Sequence, residues 1–496
     1  MKTFGQKEVW FITGSQHLYG QKILDQVAEH SQLISHSLDE NTTIPTKVVY
    51  KPVVKTPEEI LNLCREANNN ALCIGLICWM HTFSPAKMWI AGLSSLQKPF
   101  MHLHTQFNEH LPWDTIDMDF MNLTQSAHGG REFGYIGSRL GIDRKVIVGH
   151  WKDQDVIDEI SIWQRAAIGI DESKNLKVAR FGDNMRQVAV TEGNKVSAQI
   201  KFGYEVHAYG VGDLVEVINS ATDSEISNLI SEYKESYDIS KIDFSKSKSS
   251  LEEAAKIEIG LRKFLEDGGF GAYTNTFEDL NGMQQLPGIA SQRLMAEGYG
   301  FGAEGDWKTA ALLRTMKIMA KGLKGGTSFM EDYTYHLEKG NEMVLGSHML
   351  EVCPSIANSS QKPSLEVHPL GIGGKDDPAR LVFNAEASDS LNATMLDMGN
   401  RFRLLVNKVN TITPEKDMPN LPVARALWKP EPNLKTSAAA WILAGGAHHT
   451  SYTQALSVDH LQDFADMLGI EMLVIDEKTT IKDFKKEILW NNTIYC

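Results

Sequence analysis

Two glutamates and a scattered set of histidines in the C-terminal half carry the strongest chemical signal of the chain. Glu304 stands among glycines in FGAEGDWKTAALLR, just ahead of a helix that Asp306 is expected to cap. Glu331 lies in TSFMEDYTYH, an aromatic-rich run with the alternation of a strand, in which Glu331, Tyr333 and Tyr335 are expected to share one face. His348 follows in VLGSHMLEV, which also has a strand pattern.

Together these side chains are typical of a site for one divalent cation. Two ionised glutamates balance the charge of the ion, and two neutral imidazoles complete the set. Carboxylate and imidazole ligands without a thiolate suit Mn²⁺, Mg²⁺ or Co²⁺ better than a structural zinc. Taken singly, each residue is more typical of a solvated charge or of a hydrogen-bonded structural histidine.

The segment AHHT offers two adjacent imidazoles for the same site, His448 and His449. In an extended segment, neighbouring side chains point to opposite sides, so we expect only one of the two to reach the ion. The other would serve as a supporting group or in packing. Spacing does not decide which histidine is the ligand.

The N-terminal third is expected to form a parallel sheet that positions its polar loops, because predicted strands and helices alternate there. Strands are expected over 8–14, 46–54, 72–80, 98–106, 145–151 and 176–183, with a helix over 154–168. Ligands of such sheets bind beyond the carboxyl ends of the strands. There the sequence places neutral hydrogen-bonding side chains suited to sugar hydroxyls, or else to helix capping and loop surface: Gln16, His17, Gln125 and His128. GSQHLYG lacks the G-x-G-x-x-G spacing, so we expect no nucleotide cofactor.

The middle of the chain contains a polar, serine-rich stretch at 231–250, which predicts a surface loop. A helix is then expected to start at Ser250, with Glu253 completing a capping box, and to end at Gly268 and Gly269.

Charge and composition limit the classes of partner. With 49 basic and 63 acidic residues, the 496-residue chain has a formal net charge of -14, which disfavours nucleic acid and anionic membranes. No run approaches the roughly 18 apolar residues of a membrane span, and the segment MKTFGQKEVWFITG lacks the charged n-region followed by an apolar h-region that is typical of a signal peptide. These features predict a cytoplasmic protein acting on a small neutral molecule. The five cysteines match neither a disulfide framework nor a zinc ribbon and are expected to be reduced.

Long, uncommon sequence words make the chain similar to the bacterial L-arabinose isomerases over almost its full length. The words that carry this resemblance are GSQHLYG (14–20), MHTFSPAKMWI (80–90), HTQFN (104–108), IDMDFMNLTQSAHGGREFG (116–134), RFGDNMR (180–186), QIKFGY (199–204), AEGDWKTAALLR (303–314), GGTSFMEDYTYH (325–336), LGSHMLEVCPSIA (345–357), LGIGGKDDPARL (370–381) and ILAGGAHHT (442–450).

The resemblance implies a fold of three parts. They are a Rossmann-like N-terminal α/β domain over 1–176, a central α/β domain over 177–325, and a C-terminal domain over 326–496 that contains a β-barrel. It also implies a homohexamer, in which the N-terminal domain of one subunit completes the active site of its neighbour.

The resemblance further implies a metal-dependent aldose–ketose isomerase that converts L-arabinose to L-ribulose, and D-galactose to D-tagatose. The implied ligands of one Mn²⁺, with Co²⁺ or Mg²⁺ as substitutes, are Glu304, Glu331, His348 and His449. Glu304 and Glu331 are also the implied acid–base pair. The implied sugar contacts are Gln16, Leu18, Phe83, Gln125, His128, Met185, Phe277 and Ile372.

Other chemistries are compatible with parts of this pattern. A hydride shift from C2 to C1 is the rival to proton transfer. A metal-dependent hydrolase would use similar ligands to activate water. A sugar-binding protein without catalysis would explain the polar loops but not the metal ligands, and a related isomerase would act on another aldose.

Overall fold

The computed structural model describes residues 2–371 and 373–495 and divides into two compact units. The first unit is Met1–Asp171 with Asp459–Gly469, and the second is Glu172–Val458 with Ile470–Cys496. No helix in the described ranges is both long and apolar enough to cross a bilayer. Four of the five cysteines lie in these ranges as buried, free thiols, at positions 64, 73, 78 and 353.

The first unit is built on a parallel five-stranded sheet with the order β2-β1-β3-β4-β5. Its strands are β1 (Phe4–Gly14), β2 (Thr46–Tyr50), β3 (Cys73–Met80), β4 (Phe100–His104) and β5 (Lys145–Val148). Every residue of β3 is buried, as its unbroken apolar run predicts for a central strand. The helices are α1 (Gly20–Glu40), α2 (Pro57–Asn69), α3 (Ile90–Ser95), α4 (Met118–Leu123), α5 (Ser126–Arg139) and α6 (Gln154–Asn175).

The second unit begins with a smaller parallel sheet of order β7-β6-β8-β9. Its strands are β6 (Lys177–Phe181), β7 (Glu205–Tyr209), β8 (Ala272–Thr274) and β9 (Gly300–Gly302). The helices of this region are α7 (Lys195–Phe202), α8 (Val211–Ile218), α9 (Asp223–Ser236), α10 (Phe244–Gly268), α11 (Gly288–Ala296) and α12 (Trp307–Ala320).

The prediction of a surface loop over 231–250 was wrong for most of its length. Helix α9 continues to Ser236, and α10 begins at Phe244 with Asp243 as its N-cap, six residues before the predicted start at Ser250. The serines and lysines of this stretch lie mostly on the solvent-facing side of the two helices, where their polarity is compatible with helix. The predicted end is confirmed, since Gly269 caps α10 with a φ of 65°.

A closed barrel of six strands follows, in which β14 pairs with β17 and the order continues through β10, β11, β16 and β15 back to β14. The strands of the C-terminal region are β10 (Thr327–His336), β11 (Met343–Ser347), β12 (Ser364–Val367), β13 (Ala379–Val382), β14 (Ser388–Asp397), β15 (Phe402–Ile412), β16 (Arg425–Pro430), β17 (His449–Thr453) and β18 (Glu471–Ile475). Its helices are α13 (Leu434–Leu443), α14 (Val458–Leu468) and α15 (Ile481–Ile494). The predicted fold class, two parallel α/β regions and a C-terminal barrel, is confirmed.

Candidate metal and active site

Glu304 occupies the loop between β9 and α12 in a backbone conformation that residues with a Cβ seldom adopt. Its φ is 57°, and the φ of the following Gly305 is 77°. For an ordinary residue this left-handed conformation costs about 1–2 kcal/mol. Backbone hydrogen bonds hold it: the Met185 amide donates to the Glu304 carbonyl, and the Gly305 amide donates to the Asn275 carbonyl, both at 3.0 Å. Strain that the surrounding structure enforces in this way is concentrated at functional sites.

Both adjacent histidines reach the Glu304 carboxylate. Nε2 of His448 lies 3.3 Å from Oε2 of Glu304, and Nε2 of His449 lies 3.8 Å from the same oxygen. The expectation that the two imidazoles point to opposite sides was wrong, whereas the prediction that only one of them binds the ion stays a prediction. Strand β17 begins at His449, so His448 stands in the preceding bend, where the alternation of a strand does not apply.

Strand pairing brings Glu331 and His348 to the same end of the barrel. Glu331 on β10 is the register partner of His449 on β17 and of Ser347 on β11, and His348 directly follows Ser347. The Phe329 ring lies against both imidazoles, with centroid distances of 5.0 Å to His348 and 5.0 Å to His449. The two imidazole centroids are 6.1 Å apart.

The predicted alternation along β10 is interrupted one residue beyond Glu331. The register with β11 shifts between Asp332 and Thr334, so that Tyr333 is an extra residue on β10. Such a bulge breaks the two-residue period of a strand. The expectation that Glu331, Tyr333 and Tyr335 share one face therefore does not hold across this point.

A buried carboxylate stands behind each of two imidazoles. Nδ1 of His449 lies 3.2 Å from Oδ2 of Asp306, and Nδ1 of His348 lies 2.5 Å from Oε2 of Glu351. A carboxylate oxygen accepts, so each Nδ1 donates, and Nε2 of an imidazole in its neutral form then keeps its lone pair. Nε2 of His449 is buried and has no hydrogen-bond partner. Metal-binding imidazoles are commonly oriented by carboxylates in this way.

The electrostatics of the site favour ionised carboxylates beside a neutral imidazole. Burial raises the pKa of Glu304, but the hydrogen bond with His448 and the neighbouring imidazoles outweigh burial, so the pKa lies below its ordinary value. Burial lowers the pKa of His449, although Asp306 acts in the opposite direction. Burial also opposes ionisation of Asp306, but Lys308 and His449 lower the pKa of Asp306 below its usual range.

These residues fit a divalent cation. Among the residues that the structure describes, Glu304, His448 and His449 form a group whose donor atoms all lie within 4.8 Å of one another. Within this group, the unpartnered Nε2 of His449 faces the Glu304 carboxylate. Glu331 is the cross-strand neighbour of His449. His448 was not among the predicted ligands. The predicted set of Glu304, Glu331, His348 and His449 stays a prediction.

Four of the predicted sugar contacts lie close together in the first unit. The Gln16 amide donates to the Phe83 carbonyl at 3.2 Å, and the rings of Phe83 and His128 have centroids 5.4 Å apart. The Tyr19 hydroxyl joins the group, since it donates to Oε1 of Gln125 at 2.7 Å and accepts from the Phe83 amide at 3.2 Å. Leu18, a further predicted contact, lies in the turn His17–Tyr19 with its side chain exposed.

The remaining predicted sugar contacts belong to the second unit. Met185 lies beside Glu304 through its backbone hydrogen bond. Phe277 opens the short turn Phe277–Asp279 after β8, and the next residue, Glu278, accepts from the Arg186 amide at 2.9 Å. Ile372 lies outside the described residues.

Comparison with known proteins relates the whole chain to one family. Three family models match consecutive ranges: the L-arabinose isomerase N-terminal domain over residues 3–175, the central domain over 177–322 and the C-terminal domain over 326–471. The chain belongs to the L-arabinose isomerase family. It is 60% identical over 490 residues to an L-arabinose isomerase of Geobacillus stearothermophilus, with 98% of each chain covered. It is 60% identical over 497 residues to one of Flavobacterium johnsoniae, covering 100% of this chain and 99% of the relative. It is 62% identical over 490 residues to one of Koribacter versatilis, covering 98% of this chain and 97% of the relative.

The candidate site joins two domains of the L-arabinose isomerase family. Glu304 lies in the range matched by the central domain, at the carboxyl end of the parallel sheet. Glu331, His348 and His449 lie in the range matched by the C-terminal domain, on or beside barrel strands. As a member of this family, the chain is an enzyme.

Two groups beside the candidate metal site, Asp306 and Glu351, and Tyr19 in the first-unit cluster of predicted sugar contacts were not predicted as functional from the sequence. Asp306 was expected only to cap α12, and it does accept from the Thr309 amide, but it also binds His449. No sequence pattern had pointed to Glu351 or Tyr19. The three-residue spacing of His348 and Glu351 is a local signal for the first pair, whereas the contacts of Tyr19 join residues up to 106 positions apart.

Proposed function

We propose that this enzyme is a metal-dependent aldose–ketose isomerase that converts L-arabinose to L-ribulose. The observation that carries the proposal is the buried Nε2 of His449, unpartnered and directed at the Glu304 carboxylate. Family membership supports the choice of substrate, because full-length relatives about 60% identical bear the name L-arabinose isomerase.

We assign the metal site to Glu304, Glu331, His348 and His449, with Mn²⁺ as the ion and Co²⁺ or Mg²⁺ as substitutes. The ion would act as a Lewis acid on the sugar oxygens and stabilise the anion that develops during proton transfer, a contribution of several kcal/mol. Asp306 and Glu351 orient the two imidazoles from behind. No nucleotide cofactor is part of the proposal.

The reaction moves one proton from C2 to C1 and another from O2 to O1, through an enediolate. In the proposal, Glu304 and Glu331 act on opposite faces of this intermediate, one removing the C2 proton and the other serving the hydroxyl oxygens. A carboxylate bound to a cation would be a weaker base than a free one, so the glutamate that removes the C2 proton would have to be free of the ion at that step. His448 hydrogen-bonds Glu304 and supports its ionised form.

The sugar contacts are assigned to Gln16, Leu18, Phe83, Gln125, His128, Met185, Phe277 and Ile372. Amide and imidazole groups suit the hydroxyls of a neutral sugar, and the apolar side chains suit its C–H faces. The same set is proposed to accept D-galactose and to release D-tagatose.

The proposed assembly is a cytoplasmic homohexamer, in which the N-terminal domain of one subunit completes the site of another. Sedimentation velocity of the purified chain measures this directly. Six-chain particles are the expected species, and a monomer with full activity would contradict the shared site.

The deciding experiment is to incubate the metal-stripped and the Mn²⁺-reconstituted enzyme with L-arabinose in D₂O. L-ribulose that contains solvent deuterium, formed only after reconstitution, supports both the reaction and proton transfer. L-ribulose without carbon-bound deuterium favours hydride transfer or a proton that is shielded from solvent. The absence of ketose with Mn²⁺ bound would overturn the assigned substrate.

A further inference from the structure

Lys308 is a buried lysine in an unfavourable place. It lies in the first turn of α12, two residues after the N-cap Asp306, and only 1% of its side chain is exposed. Lysines are rarely buried unless they are paired. A cation at a helix N-terminus is also repelled by the helix dipole. Its burial there therefore requires specific partners.

The ammonium group of Lys308 has three such partners. Nζ of Lys308 donates to the carbonyls of Thr191 at 2.8 Å and Glu192 at 2.7 Å, and it lies 3.3 Å from Oδ1 of Asp306. The segment that contains Gly193 packs against the aliphatic part of the Lys308 side chain, because a Cβ at Gly193 would come within 3.2 Å of Cδ of Lys308.

Asp306 connects this cation to the candidate site. Its Oδ2 lies 3.2 Å from Nδ1 of His449 and accepts from the Thr309 hydroxyl at 2.8 Å. Lys308, Asp306 and His449 thus form a continuous chain of buried contacts that ends at the unpartnered Nε2 of His449. A buried carboxylate without a counter-charge is costly, and removing one partner of a buried ion pair leaves the other uncompensated.

We infer that Lys308 is a positioning residue for the metal centre, which holds Asp306 against His449 and thereby orients the imidazole toward the ion. The inference rests on the proposed function. The imidazole of His348 also has a carboxylate behind it and a cation beside that carboxylate. Glu351 hydrogen-bonds His348 and interacts electrostatically with the buried guanidinium of Arg380.

Helix α12 provides a matched control in Lys317. Its ammonium also binds a backbone carbonyl, that of Thr327, and lies 3.4 Å from Sγ of Cys353. None of its described contacts is a carboxylate of the site. Lys308→Met and Lys317→Met therefore both remove a lysine that binds backbone on the same helix, but only the first removes the charge beside Asp306.

The test is the Kd of Mn²⁺, measured by titration calorimetry or by the EPR signal of free Mn²⁺, on the full-length protein without sugar. We expect Lys308→Met to weaken Mn²⁺ binding by about 10-fold to 100-fold, the range for groups that orient metal ligands. Lys317→Met is expected to bind Mn²⁺ as the wild type does. If Lys308 acts through Asp306, then Asp306→Asn and the double variant with Lys308→Met will bind Mn²⁺ equally weakly.

Unchanged Mn²⁺ affinity in a folded Lys308→Met protein would overturn the inference, as would an equal loss in Lys317→Met. If Lys308→Met does not fold, Lys308→Gln, whose amide can still donate to a carbonyl, is measured against the same criteria. If the wild-type protein binds no Mn²⁺, the proposed metal centre itself is overturned. If the wild type and Lys308→Met bind Mn²⁺ equally well, only the inference about Lys308 is overturned.

Discussion

Oε2 of Glu304 lies 3.3 Å from Nε2 of His448, a residue 144 positions away in the sequence. The hydrogen bond joins the carboxyl end of the central parallel sheet to the segment that leads into β17. One carboxylate is thus shared between a partly exposed imidazole and a buried one, His449. This dual contact makes Glu304 the residue whose replacement is most informative.

Glu304→Gln and Glu331→Gln should each keep the fold and reduce kcat by about 10²–10⁴-fold, the usual contribution of a positioned proton-transfer group. The amide keeps the shape of the side chain but cannot accept a proton. Initial rates with L-arabinose measure the fall in kcat, and circular dichroism measures whether the fold is kept. Glu338→Gln, an exposed glutamate just after β10, is the matched control. Near-normal turnover in either site variant would rule out its role.

The strained backbone of Glu304 predicts a difference between two inactive variants. Glu304→Gly and Glu304→Ala both lose the carboxylate, but only glycine adopts a φ of 57° without penalty. In metal-free protein, we expect the glycine variant to be more stable than the alanine variant by about 0.5–1 kcal/mol. Urea unfolding of the two proteins measures this. Equal stability, or a more stable alanine variant, would show that the loop relaxes and stores no strain.

Local sequence patterns predicted the elements better than the contacts between them. Strand β3 was predicted because the nearly all-apolar run 72–80 is typical of a central strand covered on both faces. The serine-rich stretch before Ser250 was misassigned, because polar residues on the exposed side of a helix have the same composition as a loop.

The candidate site depends on pairings that no local pattern contains. The register of Glu331 with His449, and the start of β17 at His449 rather than earlier, are set by closure of the barrel. The sequence could therefore suggest the ligand types but not that both histidines reach Glu304. The exceptions are short-range pairs such as His348 and Glu351, whose spacing is visible in the sequence.

The first unit should lose stability in acid because of His81. Burial, and secondarily His30, lower the pKa of His81 from 6.5 to about 3. Nε2 of His81 lies 2.8 Å from Nδ1 of His30, and its Nδ1 is buried without a hydrogen-bond partner. The unfolded chain binds this proton near pH 6.5 and the folded chain only near pH 3. The stabilisation is therefore complete above pH 6.5 and declines as the pH falls toward 3.

Between pH 7 and pH 5 this one group should remove about 2 kcal/mol from the free energy of unfolding. His81→Gln is expected to be less stable at pH 7 but to lose about 2 kcal/mol less on acidification. Replacement of the exposed His17 by Gln serves as control. Denaturant unfolding at the two pH values provides the comparison, and an identical pH dependence in His81→Gln and wild type would contradict the assignment.

Tyr19→Phe should weaken sugar binding without altering the chemical step. The hydroxyl of Tyr19 holds both the Gln125 amide and the Phe83 backbone in the cluster of proposed sugar contacts. The variant loses both hydrogen bonds, each worth about 1 kcal/mol, which corresponds to roughly a fivefold to 30-fold rise in KM with kcat nearly unchanged. Tyr135→Phe, at an exposed position of α5, is the control. A fall in kcat at constant KM would place Tyr19 in a different role.

The pairing of Glu331 with His449 links the proposed metal centre to the register of two barrel strands. A slip of one residue between β10 and β17 would turn every side chain of the slipped strand to the opposite face, and the glutamate would no longer stand beside the imidazole. In the proposed centre, an ion held by both side chains stabilises only the native alignment of these strands. Binding of the proposed ion would therefore favour the native register of β10 and β17 over a register shifted by one residue.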